Sequence, residues 1–205
     1  MRLNRTVFTL VGAALLAGCG AEQPSESEGA PEGLVGEALQ VEAEAGEREL
    51  TAQAYCDDVL TWNTSWASFE SQVLTLVNQR RAAGATCGGV VKPPAPSLTL
   101  NAKLQCAARK HSKDMGLKNY FSHTGLDGST FTQRITWAGY TPYRYAGENI
   151  SAGYTTPAEV VNGWMASAGH CNNIMNPNFR NLGVGYFYGT TSTYKHYWTQ
   201  NFGAQ

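Results

Sequence analysis

Four cysteines, Cys56, Cys87, Cys106 and Cys171, follow a leader with the marks of export, and that combination sets the terms on which the rest of the chain folds. Residues 1–18 carry Arg2 and Arg5, then the apolar run Val7 to Ala17, then a small residue, which are the charged, apolar and small-residue parts of an export signal. As a helix, that eleven-residue run would rise only ~16 Å against a hydrocarbon core of ~30 Å, so it reads as a cleaved signal peptide and not as a permanent span. An oxidising compartment makes disulfides the expected fate of the four thiols. Spacing alone leaves all three pairings open. None of the cysteines has the Cys-x-x-Cys spacing of a structural zinc site, so two structural bridges are expected, and a bridged thiol is no nucleophile.

The leader ends in Leu16-Ala17-Gly18-Cys19, which resembles the bacterial lipobox. That resemblance implies acylation of Cys19 and a membrane anchor, with ordinary secretion as the alternative. From Ala21 to Thr51 the chain holds nine Glu against one base, Arg48. Residues 19–54 therefore read as an acidic flexible tether, and residues 55–205 as one folded domain. From Tyr55 onward there are twelve Lys and Arg against seven Asp and Glu, a surplus of five positive charges spread without a stripe. Nucleic acid is not an expected partner.

Within the domain, Asn63-Thr64-Ser65 caps a helix whose apolar positions are Trp66, Phe69, Val73, Leu76 and Val77, closed at Gly84. Gly88 to Leu98, with Gly-Gly and Pro93-Pro94-Ala95-Pro96, reads as a loop. Asn101 caps a second helix ending near Lys118, with Leu104, Ala107, Ala108, His111 and Met115 on its buried face. Thr130 and Gln133 form a capping box for a short third helix closed by Gly139. Thr156-Pro157-Ala158-Glu159 opens a fourth, which ends before Gly169. Gly147 to Ala152, Gly183 to Tyr188 and Tyr194 to Phe202 read as strands. Helices first and strands last predict an α+β fold and exclude a doubly wound sheet.

Gly-x-Ser-x-Gly, His-Glu-x-x-His and phosphate-cradling glycine loops are all missing from the sequence. What remains is a scattered polar set: His111, His123, Glu148, Ser167, His170 and His196. His111, on an apolar helix face, and His196, in an aromatic strand, read as satisfied structural groups. Ser122-His123-Thr124-Gly125, Gly147-Glu148-Asn149 and Gly169-His170-Cys171 each place a polar group beside glycine at an element end, where turns can aim side chains into one cleft. Two imidazoles and a carboxylate could then hold a divalent ion completed by water. Asn149 reads as hydrogen-bonding scaffold, and Ser167 as a helix cap or a small-residue packing site.

His111-Ser112-Lys113-Asp114-Met115, Phe121-Ser122-His123-Thr124-Gly125, Gly147-Glu148-Asn149-Ile150, Gly163 to His170 and Asn176-Pro177 with Gly183-Val184-Gly185 occur in an order that resembles the bacterial, SCP-like extracellular branch of the CAP superfamily, from about Leu74 to Gly203. The resemblance implies an α-β-α sandwich, a central antiparallel sheet covered by helices on both faces. It also implies a cleft lined by His123, Glu148 and His170, with Ser167 where many eukaryotic members carry a second Glu. His123 and His170 are the implied metal ligands, for zinc or another divalent cation, and no cofactor is required. The implied disulfides are Cys87–Cys171 and Cys56–Cys106.

Taken together, the expected function is a cell-envelope binding or interaction module, outside the cytoplasm and monomeric as a domain. Its cleft would take a divalent metal or an apolar, lipid- or sterol-like ligand, and an envelope protein is the expected macromolecular partner. The alternative is a metal-dependent hydrolase or peptidase in which His123, Glu148 and His170 are the catalytic candidates, with Ser167 a further candidate nucleophile.

Overall fold

Local capping chemistry starts most of the helices. The computed structural model describes residues 32–205, so the export signal, Cys19 and the first part of the acidic segment lie outside the described residues. Two compact units divide at Leu39 and Gln40. Of the first, only the start of α1 (Glu32–Leu60) is described; the second holds everything that follows. In that unit, α2 (Thr64–Ala83) begins where Asn63 accepts from the N–H groups of Ser65 and Trp66, and Gly84 ends it with a positive φ. Asn101 does the same for α3 (Ala102–Lys118). Complete capping boxes open α4 (Phe131–Trp137) and α5 (Pro157–Ala166).

Three features depart from the sequence expectation. From Glu32, where the described residues begin, the acidic segment is helical where a tether is expected: α1 runs to Leu60, Ala52, Cys56 and Val59 are buried, and the folded unit therefore starts before residue 55. Glu, Ala and Leu are strong helix formers, and the apolar residues near the end of this segment give the helix a face to bury. The stretch expected to be a loop after α2 contains a small hairpin, β1 (Ala85–Cys87) with β2 (Val90–Lys92), turned by Gly88 and Gly89 at positive φ. Finally, the helical run does not stop before Gly169. Ser167 interrupts it in extended backbone, and α6 (Ala168–Ile174) follows at once.

The main sheet has the order β3 (Thr99–Leu100), β5 (Asn181–Tyr188), β6 (His196–Ala204), β4 (Tyr145–Ala152). Its three long strands are antiparallel, and the two-residue β3 adds a parallel edge. Helices cover both faces, giving the α+β layered fold expected. Strand alternation assigns the faces. Leu182, Val184, Tyr186, Trp198 and Phe202 point into a core shared with Val73 and Val77 of α2, Val160, Val161 and Trp164 of α5, and Ile174 of α6. On the opposite face lie Gly183 and Gly185, where a Cβ would sit 2.1 and 2.2 Å from the backbone carbons of Leu104 and Ala108. The two glycines let α3 lie directly on β5, and Ser112 fastens it by donating to Gly185 O and to Thr199 Oγ1, both at 2.9 Å. A further layer of α1 and α4 packs on α3 through Cys56, Val59, Cys106, Ala107, Ile135 and Tyr140.

Long-range ties hold the layers. Cys56–Cys106 joins α1 to α3 and Cys87–Cys171 joins the small hairpin to α6, the pairing that the resemblance implies. With sequence separations of 50 and 84, each bridge is worth roughly 4 kcal/mol in the chain-entropy account. The buried Arg81 donates to four backbone carbonyls, of Pro96, Ile174, Asn176 and Phe179, and so fixes two proline-containing loops to the end of α2. Glu70 covers the open edge of β5 beyond β3: it accepts from Tyr186 N at 3.2 Å and is held by Arg109 at 2.6 Å.

Close approach of α3 to β5 makes Gly183→Ala a sharp test. The added methyl has only backbone to meet, so unfolding free energy should fall by about 2–3 kcal/mol. A denaturant midpoint within error of the parent would show that the helix can ride out on the sheet at no cost.

Candidate functional site

Glu148 stands on β4, the edge strand, opposite Asn201 in register, and so faces the α3 side of the sheet. Its side chain is 1% exposed. One carboxylate oxygen, Oε1, lies 2.7 Å from Nδ1 of His123 and the other, Oε2, 2.9 Å from a terminal nitrogen of Arg134. A carboxylate pairing at that distance accepts, so Nδ1 carries the proton and Nε2 of a neutral His123 is left with its lone pair. The His123 side chain is 55% exposed. Asn201, with its amide set so that nitrogen faces the carboxylate, adds a donor to Oε2 at 3.2 Å.

Arg134 does more than neutralise Glu148. It is buried, held on α4, and donates to the carbonyls of Ser129 and His123, both at 2.8 Å. One guanidinium therefore fixes the backbone that carries the imidazole and the carboxylate that orients the ring. His111 holds the same loop from α3, donating Nε2–H to Ser122 O at 2.9 Å. Downstream the loop closes on itself as Gly125 N donates to Ser129 O and Ser129 N to Asp127 Oδ1, each at 2.9 Å.

The second imidazole arrives from the other side of the edge strand. Asn149, adjacent to Glu148 and therefore on the opposite face, donates to His170 O at 3.2 Å and to Gln200 Oε1 at 3.1 Å. Asn173 donates to Glu148 O and to Asn149 Oδ1. Those amides hang α6 on β4, and Cys171 locks it to the hairpin. His170 is half-buried; burial and then the charge of His123 hold its pKa below the usual imidazole value, so the two rings share one electrostatic neighbourhood. Ser167 is at the joint between α5 and α6, with no side-chain capping bond.

Of the residues singled out from sequence, His123 and Glu148 are in direct contact, His170 is tied to the same strand through its backbone carbonyl and Asn149, and Asn149 is the scaffold expected of it. His111 is the satisfied buried group expected, and His196 bonds Tyr186 OH at 2.8 Å. Arg134, Asn173 and Asn201 join the site without any motif that marks them. The only sequence sign of Arg134 is its place inside the capping-box helix just after the His123 loop. Among the described residues, no three His, Cys, Asp or Glu side chains are grouped to hold a metal ion. Two imidazoles, with Glu148 behind one of them, are fewer protein ligands than a structural or catalytic zinc centre uses.

The model of the cysteine-rich secretory protein family, CAP, matches residues 74–202, a stretch that contains every residue just described. The chain is 39% identical over 140 residues to the protein YkwD of Bacillus subtilis (strain 168), covering 68% of this chain and 48% of that one. An extracellular protein containing an SCP domain from Bacillus anthracis str. Ames superposes with a TM-score of 0.56 at 30% identity, over 68% of this chain and 41% of that one. An outer surface protein from Borrelia burgdorferi shares the fold at 19% identity, with a TM-score of 0.56, over 67% and 93% of the two chains. This chain thus spans about half the length of the curated relative.

Two outcomes test the assembly. Arg134→Met strands the buried Glu148 carboxylate and should cost about 3–5 kcal/mol, with Arg134→Met/Glu148→Gln losing less than the sum of the single variants in denaturant melts. An additive pair would mean the two side chains are not coupled. His111 supplies the second: burial above all pushes its pKa down from 6.5 to about 4. Between those values the unfolded chain takes up a proton that the folded chain refuses, so stability falls as pH drops through this window, by on the order of 3 kcal/mol. His111→Asn should flatten that part of the stability–pH curve, and an unchanged slope would contradict the assignment.

Proposed function

Because the chain belongs to the cysteine-rich secretory protein (CAP) family, we propose that it is an extracytoplasmic binding module whose ligand site is the imidazole pair at the sheet edge. The observation that carries this reading is the Glu148–His123 contact. It leaves Nε2 of His123 as a lone pair on an exposed ring held by the carboxylate, with His170 on the helix that hangs from the same strand. A carboxylate behind a ligating imidazole is the usual support for a bound divalent cation, because it fixes the tautomer and raises the basicity of the free nitrogen. His123 and His170 would hold the ion, water would complete its shell, and the bound ion would supply a point of attachment for an anionic or carbonyl group of a partner.

Binding is favoured over hydrolysis by what surrounds Glu148. Both carboxylate oxygens are already engaged, one by His123 and one by Arg134, so the group orients a ring instead of facing a substrate proton. An apolar ligand has a separate candidate place, a groove of about 340 Å³ between α2 and α5 lined by Leu76, Pro157 and Ala158 together with Gln72, Thr75 and Thr156. Placement outside the cytoplasm is supported by the two disulfides and by the extracellular Bacillus anthracis relative. Attachment to the membrane through Cys19 is part of the same proposal.

Zinc titration with elemental analysis tests the site. The purified protein should take up about one zinc ion per chain, weakly, and His123→Ala/His170→Ala should take up none while keeping its melting temperature. Failure to bind at millimolar zinc, or equal uptake by the double variant, would overturn the proposal.

A further inference from the structure

Tyr55 of α1 and Trp137, the last residue of α4, stand with ring centroids 5.8 Å apart at the junction of two cavities, and both line each one. The first, of about 170 Å³, runs under the rings toward α3 and is lined by Asp58, Lys110, His111 and Asp127 among others. The second, of about 750 Å³, continues along α1 past Arg48, Glu49, Lys103, Thr136 and Thr141. The result is one groove with an aromatic pair at its middle and polar groups along both walls, on the far side of α3 from the sheet; Arg134 and Ser129, which hold the His123 loop, line its inner end, but neither His123 nor His170 does.

We propose that this groove binds a carbohydrate chain. Trp137 is 44% exposed, which leaves an indole face free at the middle of the groove beside Tyr55. The charged groups around it are mixed in sign and largely paired: Asp58 accepts from both Lys110 and Lys113, at 2.6 and 2.9 Å, and Glu49 faces Lys103 at 3.5 Å. Charges of both signs give a phosphate or a polyanion no single-sign field to select, and the charged side chains spaced along both cavities leave an acyl chain no continuous apolar wall. A sugar matches both halves of the pattern. Its C–H face lies on an aromatic plane, and its hydroxyls donate and accept at once, as carboxylates, ammonium groups and threonine hydroxyls require. His111 contributes an acceptor at the inner end, because donating Nε2–H to Ser122 leaves Nδ1 with its lone pair. Lys110 Nζ sits 4.6 Å from the Tyr55 ring centroid, so that ring is fixed at the groove wall before any ligand arrives. The smaller cavity has room for roughly one pyranose ring and the larger for a few more, which makes the ligand an oligosaccharide and not a single sugar.

Calorimetric titration of the full chain with chitotetraose, cellotetraose and maltotetraose tests the proposal. At least one should bind. Trp137→Ala should weaken that binding by about tenfold or more, Trp137→Phe should largely retain it, and His123→Ala/His170→Ala should leave it unchanged. Thr136→Arg, an exposed change on the groove wall, should block binding by filling the space and serves where Trp137→Ala lowers the melting temperature. Absence of binding by all three probes at millimolar concentration, or binding that survives both Trp137→Ala and Thr136→Arg, would overturn the assignment. Loss of zinc uptake with intact glycan binding would separate failure of the imidazole site from failure of this one.

Discussion

A buried carboxylate has to be matched, and the way Glu148 is matched organises this face of the molecule. Burying an ion in protein costs several kcal/mol, recovered only by close partners with good geometry. Here the partners are a buried guanidinium at 2.9 Å and an imidazole at 2.7 Å. Satisfying Glu148 draws α4 and the 122–129 loop onto β4, and it orients His123 as a by-product. The exposed imidazole is thus held by a structural necessity of the core, which is why its free nitrogen can be aimed without any rigid element of its own.

On the other face of β4 amides take the place of charges. Asn149, Asn173 and Gln200 connect β4, α6 and β6, and the Cys87–Cys171 bridge anchors the outer side of α6. Buried amide networks specify one arrangement because each lost partner costs the desolvation of another. His170 therefore reaches the sheet edge from a helix whose position is fixed twice. Edge position matters as well: with no strand beyond β4 among the described residues, groups from both faces of the sheet can meet around it.

Much of the fold was legible because its signals are local. Asn63, Asn101, Thr130 with Gln133, and Thr156 with Pro157 and Glu159 cap helices within a few residues of themselves, and strand alternation around Gly183 and Gly185 needs no distant partner to be read. What stayed hidden depends on contacts across the chain. Arg134 looks like any helix-face arginine until residue 148 folds back against it. The segment before residue 55 is acidic enough to suggest a solvated tether, yet its helix is bound by Ala52, Cys56 and Val59 to α3 and α4, which composition does not show. Gly169 reads as lying past a helix end because α5 does end just before it, at Ala166, but α6 begins at Ala168. The disulfide pairing came from resemblance alone, since spacing left three choices.

The protonation state of one ring is the most direct test of this account. At a pH where His123 is neutral, the imidazole nitrogen shifts in ¹⁵N NMR should show Nδ1 protonated and Nε2 bare, and Arg134→Met should disturb that preference by freeing Glu148 to move. A neutral ring with its proton on Nε2 would contradict the central claim, because it would mean that the buried carboxylate does not hold the imidazole at all.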